Sequence, residues 1–191
     1  MNNETLIQAE NIAFKINGNK LFHNLSFALE KGEALQIVGS NGSGKSTLIR
    51  IILGITKQTK GNINYKNNIN VSYLGHKNAL KSYLSVYDNL MLQELNNHKE
   101  LNILLERLEL KNFLDVTVGN LSYGQQKKLA MLRVFLNESN LIVLDEPFVG
   151  LDSKAFDTVQ DFLIKEINSD KSLIFTSHID CNIESKILNL R

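Results

Sequence analysis

The sequence predicts an α/β protein: a mainly parallel sheet covered on both sides, an antiparallel β layer and a small helical lobe. Three observations predict it. The first third alternates apolar residues around short turns, the middle carries apolar residues at three- and four-residue spacing, and the last third alternates strands with helices. In order, Ile7 to Ile16 and Leu21 to Leu29 read as strands around Asn17-Gly18-Asn19, a hairpin signal. Glu33 to Val38 is a short apolar strand running into a Gly-rich turn, and Gly44 to Leu53 is a helix with Leu48, Ile49, Ile52 and Leu53 on one face. Strands follow around Asn62–Tyr65 and Asn70–Leu74, and the Asn/Lys-rich stretch GNINYKNNINVSY reads as polar hairpin turns. Helices are predicted over Val86–Leu95, over Lys99–Leu108 and from Ser122 to Leu136. Strand Leu141–Leu144, helix Ser153–Ile167, strand Ser172–Phe175 and a terminal strand near Ile187–Leu190 complete the chain.

Composition narrows the function classes. With 191 residues the chain is expected to be one domain, long enough to bury a core. Its 21 Lys plus Arg against 20 Asp plus Glu leave no electrostatic footprint for a nucleic-acid partner. One cysteine builds no disulfide framework, which favours a reducing compartment. No run reaches the roughly 18 apolar residues of a membrane span, and the start MNNETLIQAEN is not a signal peptide. The expectation is a soluble, cytoplasmic, globular protein; if it acts at a membrane, another chain must bring it there.

Gly39-Ser40-Asn41-Gly42-Ser43-Gly44-Lys45-Ser46, followed by Thr47, fits G-x-x-x-x-G-K-[ST] at every position, after an apolar strand and before a helix. Glycines let the backbone wrap around an anion, the helix N-terminus points its N–H groups at phosphates, and Lys45 reaches the β/γ oxygens. Ser46 is expected to place its hydroxyl on Mg²⁺. The chain is therefore expected to bind a nucleoside triphosphate. Leu141-Ile142-Val143-Leu144-Asp145-Glu146 is an apolar strand ending in two acids, where strand ends face the ligand crevice. Asp145 is placed to hold Mg²⁺, and Glu146 to orient or deprotonate the attacking water.

Leu121-Ser122-Tyr123-Gly124-Gln125-Gln126, followed by KKLAMLRVFL, resembles the LSGGQ signature of the ATP-binding-cassette ATPases. The order of motifs fits that family: phosphate loop, Q-loop region, signature, LIVLDEP, a D-loop at Gly150-Leu151-Asp152, and a histidine at Thr176-Ser177-His178. The resemblance covers essentially the whole chain. It implies a P-loop NTPase domain of ABC type over 1–191, with a helical subdomain at about 78–137. It also implies a head-to-tail pair of such domains sandwiching two ATP molecules. On that reading Ser122 and the backbone at Gly124 serve the nucleotide of the opposite copy, and His178 contacts the γ-phosphate.

Three positions depart from the family pattern. Ile16 stands where an aromatic stacks on adenine, which removes the stacking contribution. His76 occupies the Q-loop position and can still meet a water near Mg²⁺. Tyr123 replaces one of the two signature glycines. With the short chain, LFHNLSF, YLGH, LSYGQQ and DEPFVGLD, the sequence resembles the ATP-binding subunits of the cytochrome c maturation haem-export system. That resemblance implies a separate integral-membrane permease as partner and a peripheral position on the cytoplasmic face of the inner membrane. An ATPase of a drug or lipoprotein exporter, and a soluble ABC ATPase of iron–sulfur assembly, are the alternatives. Lys127, Lys128 and Arg133 are expected on a solvated or partner-facing side of their helix, His23 and His98 as surface or packing residues, and Cys181 as an incidental thiol.

Overall fold

The computed structural model describes residues 4–190, so the first three residues of the polar start and the last residue of the 1–191 span lie outside the described residues. Strands β1 (Thr5–Ile16) and β2 (Asn19–Glu30) form the predicted hairpin, linked by Asn17 and Gly18 alone. Ile16 pairs with Asn19, and the two linking residues have φ of 50° and 82°. Two successive positive φ values match the twist of a hairpin, and Asn-Gly supplies them at least cost. β3 (Ala34–Val38) then leads into α1 (Lys45–Ile52). β4 (Lys60–Tyr65) pairs with the free side of β1, giving an antiparallel layer ordered β2-β1-β4.

β5 (Val71–Leu74) does not pair with β4. It joins a five-stranded parallel sheet ordered β5-β6-β7-β3-β8, with β6 at Leu141–Asp145, β7 at Ser172–Thr176 and β8 at Lys186–Asn189. The stretch GNINYKNNINVSY is thus a crossover between two sheets, and the reading as hairpin turns is corrected. Asn140 pins it: its Oδ1 accepts from Asn70 N–H at 2.9 Å and its Nδ2 donates to the Asn68 carbonyl at 3.0 Å. Local polarity marks a turn, but distant partners decide which sheet each flanking strand joins.

The helical middle holds α2 (Val86–Leu92), α3 (Leu101–Arg107), two 3₁₀ turns at Lys111–Phe113 and Val118–Asn120, and α4 (Tyr123–Leu136). α2 stops short of the predicted Leu95 because Glu94 turns left-handed at φ 58°. α5 (Ser153–Asn168) links β6 to β7. The packing partners of β6 follow the two-residue period of a strand, although all its residues are buried. Leu141 and Val143 pack with Ile7, Ile37, Leu48 and Ile174 on one face, while Ile142 and Leu144 pack with Leu90, Leu129, Val159 and Phe175 on the other. Both faces are covered, which is why LIVL reads as a continuous apolar run.

The basic residues of α4 do not form a solvated face. Lys127 and Lys128 are buried and Arg133 is half-buried, its guanidinium donating to the Tyr73 carbonyl at 3.1 Å. α4 packs against β5 on one side and meets the 150–152 loop on the other, so charge on this helix marks internal contacts rather than solvent.

Candidate active site

Three strand ends build the site. β3 passes through the Gly-rich loop into α1, β6 ends in Asp145 and Glu146, and β7 ends at Thr176 just before His178. β7 lies between the other two, with Thr176 paired to Asp145 on one side and to Ile37 on the other. Motifs far apart in the chain therefore open on the same edge of the sheet, at the carboxyl ends of its strands.

α1 is left uncapped at its start. Gly44 stands there at φ 102° with no side-chain cap, and no acidic residue occupies the first turn. The first N–H groups and the positive end of the helix dipole are therefore open to an anion. Gly44 is constrained twice, since a Cβ there would also lie 2.6 Å from Leu21 Cδ2. Lys45 Nζ donates to the Gly39 carbonyl at 2.9 Å, to the Ser40 carbonyl at 3.4 Å and to His178 Nε2 at 2.9 Å. An ammonium has no lone pair, so Nε2 is the acceptor and the imidazole proton sits on Nδ1.

The Nε2 edge of the ring consequently offers no proton to Glu146. Glu146 Oε1 lies 3.4 Å from His178 Nε2 yet is buried with no hydrogen-bond partner, while Oε2 accepts from His178 N–H at 3.3 Å. Glu146 is also held at φ 53°, a left-handed conformation costly for a residue with a side chain. Thr176 over-determines it: Glu146 N–H donates to Thr176 Oγ1 at 2.8 Å, and that hydroxyl donates to Asp145 Oδ1 at 2.8 Å. Thr176 thus orients both acids. Sequence reasoning passed over it as part of the approach to His178, because a threonine closing an apolar strand carries no distinctive signal.

A cavity of about 560 Å³ brings together Asn41, Gly42, Gly44, Lys45, Ser46 and Thr47 with His76, Asp145, Glu146 and His178, and Ile16, Leu21 and Val149 supply its apolar lining. Gly39 and Ser40 take part through the carbonyls that hold Lys45, and Ser43 N–H donates to the Ser40 carbonyl at 3.1 Å. Exposed His76 also borders a neighbouring cavity with Arg50, Tyr73 and Arg133. His23 is exposed, and His98 Nδ1 accepts from Glu100 N–H; neither lines the cavity. Cys181 is half-buried and burial pushes its thiol up, as for an unreactive cysteine.

Ser122 and Gly124 do not join Lys45. They line a separate cavity of about 580 Å³ with Tyr123, Lys128, Gly150 and Asp152. Ser122 Oγ accepts from Gln125 N–H at 3.2 Å and Gln125 Oε1 accepts from Ser122 N–H at 2.9 Å, a capping box that leaves the hydroxyl proton free to donate elsewhere. A Cβ on Gly124 would come within 2.4 Å of the Gly150 carbonyl, so glycine lets α4 meet the 150–152 loop.

That loop is anchored by Asp152, which caps α5 through Ala155 N–H at 2.9 Å and pairs with Lys128 at 2.6 Å. The hydrogen bond from Lys128, and then that from Ala155, hold its carboxyl below the usual range. Asp152→Ala is expected to lower stability by about 2 kcal/mol, combining a lost cap with a buried lysine left unpaired, and Asp152→Asn by about half as much. Because the folded pKa is depressed, this contribution is present above the ordinary carboxylate pKa and is lost as pH falls through the depressed value. Urea midpoints of wild type and Asp152→Ala at neutral and strongly acid pH check both statements; the gap should close in acid.

Residues 22–149 match the ABC transporter family. The chain is 32% identical over 191 residues to the cytochrome c biogenesis ATP-binding export protein CcmA of Brucella abortus (strain 2308), covering 95% of this chain and 89% of that protein. Among solved structures, the ATP-binding subunit of an ABC transporter superposes with a TM-score of 0.83 at 22% identity, covering 97% of this chain and 86% of the other. A dimeric ATP-binding cassette in a post-hydrolysis state, bound to ADP and Pi, superposes with a TM-score of 0.82 at 23% identity, covering 97% and 94%. Both structures share the fold described above.

Proposed function

Because the chain belongs to the ABC transporter family, we propose that it is the ATP-hydrolysing subunit of an export system for cytochrome c biogenesis, coupled to a separate membrane permease. The observation that carries the reading is the meeting of Lys45, Asp145, Glu146 and His178 in one cavity. The relative aligned over nearly its full length is named for that pathway, which favours it over drug or lipoprotein export and over iron–sulfur assembly.

ATP binding draws the Lys45 ammonium from His178 onto the β/γ oxygens, beside the open N–H groups of α1. The donor set suits Mg²⁺. Among the described residues no three His, Cys, Asp or Glu side chains gather as a metal cage, and the hydroxyl of Ser46 with the carboxylate of Asp145 is the short oxygen set of a cation that completes its shell with phosphate and water. When bound, Mg²⁺ offsets phosphate charge. Glu146 Oε1, buried and free of donors, takes the proton of the attacking water. His178, once released, meets the γ-phosphate, His76 would orient a water beside a cation held by Ser46 and Asp145, and Ile16 packs under the base. Ser122 and Gly124 open on their own cavity and serve the nucleotide of a second copy.

In this proposal 1–191 is one nucleotide-binding domain with a helical subdomain at about 78–137. It sits peripherally on the cytoplasmic face of the inner membrane; no helix among the described residues is long and apolar enough to cross a membrane. Depleting the protein, or supplying only Glu146→Gln, should stop covalent haem attachment to c-type cytochromes while b-type haem proteins stay normal, as read on haem-stained gels of membrane fractions. Normal c-type bands alongside failure of another transport activity would overturn the pathway and leave the ATPase.

A further inference from the structure

On α4, Lys127 is 0% exposed, and its Nζ is buried with no hydrogen-bond partner. An ammonium so placed is strongly unfavourable unless nearby charge compensates it. Burial pushes its pKa down, and the carboxylates of Asp145 and Glu146 pull it back up. The fold accounts for this neighbourhood. α4 precedes β6 and runs back along the sheet, where Arg133 meets the Tyr73 carbonyl and Tyr73 pairs with Val143. Lys127 lies about 9 Å nearer the start of the helix, level with the end of β6. There, among the described residues, Glu146 Oε1 is itself buried without a partner, and Asp145 Oδ1 accepts from the Thr176 hydroxyl. Lys45, the other buried cation of the site, is bonded to carbonyls and His178 rather than to the acids.

We propose that Lys127 is a built-in counter-cation for Asp145 and Glu146, a positioning residue whose charge steadies the two carboxylates through space, without a direct bond, while no divalent cation is bound. Its charge couples the helix that starts beside Ser122 to the acids of the same chain. The inference rests on the nucleotide-site reading above.

The test uses the full chain with Lys127→Met and Lys127→Arg, melted in EDTA and in millimolar Mg²⁺, with ATP affinity measured in both. Replacing a merely tolerated buried lysine by methionine raises the melting temperature. Losing a counter-cation instead lowers it in EDTA, by about 4 °C, and Mg²⁺ recovers most of the loss. The ratio of ATP affinity in Mg²⁺ to that in EDTA should rise about tenfold in Lys127→Met, since removing a positive charge tightens the metal and loosens the free anion. Lys127→Arg should keep the wild-type ratio. A methionine variant that melts higher in both conditions, with an unmoved ratio, overturns the counter-cation role. If that variant does not fold, Lys127→Gln carries the same two readings. Failure of the wild-type chain to bind ATP in either condition would instead overturn the nucleotide-site reading itself.

Discussion

Glu146→Gln is expected to lower ATP turnover by about 10²–10⁴-fold while leaving ATP binding intact, the scale of losing a general base. The amide is nearly isosteric with the carboxylate. Its oxygen can still accept from His178 N–H, and the backbone bond from residue 146 to Thr176 Oγ1 is untouched. Glutamine is no worse than glutamate at φ 53°, so the substitution adds no backbone strain. What disappears is the capacity of the buried, donor-free Oε1 to accept a proton. On the nucleotide-sandwich reading, the variant should also accumulate as an ATP-bound dimer on a sizing column, because hydrolysis is what reopens the pair. Steady-state turnover and elution volume check the two parts separately. Wild-type turnover would remove Glu146 from the chemistry.

Lys45→Ala is expected to weaken ATP binding by about 10²-fold or more, the scale of losing two charge-assisted hydrogen bonds to phosphate. Without nucleotide, the ammonium rests on the Gly39 and Ser40 carbonyls and on His178 Nε2. These contacts keep a buried cation satisfied in a pocket otherwise shaped for an anion. Alanine empties the centre of the loop, leaves the α1 N–H groups as the main anion donors, and frees Nε2 to carry a proton toward Glu146 Oε1. Equilibrium binding of labelled ATP decides the matter, and wild-type affinity would sink the role given to Lys45.

The two expectations differ in how much of their argument was visible before the structure. The role of Lys45 follows from an eight-residue pattern and its setting between a strand and a helix, all of it local. That of Glu146 follows from its place after an apolar strand, but its left-handed backbone and its dependence on Thr176 do not. The stretch GNINYKNNINVSY and the basic run in α4 mark the opposite limit. Asparagines did signal a turn and lysines did signal charge, yet neither composition says which surface lies against the segment.

The sequence by itself determined the local geometry of this protein. Asn17-Gly18 dictates the hairpin, because two positive φ values in succession suit few other residue pairs. Ser122 and Gln125, three apart, dictate the start of α4 through a reciprocal cap. The glycines around Lys45 dictate an open helix N-terminus, and the alternation of strands with helices dictates a parallel sheet. Only the tertiary structure decided the order β5-β6-β7-β3-β8. LIVLD and SLIFT are both buried throughout, so nothing in either string says which neighbour it takes. That order inserts Thr176 between the acids and the phosphate loop, brings Lys45 to His178 across 133 residues, and shuts Lys127 away from solvent. Turns and caps are set by residues within one another's reach along the chain. Strand neighbours and the burial of a charge are set by which distant apolar faces fill the same space, and that is a property of the packed whole.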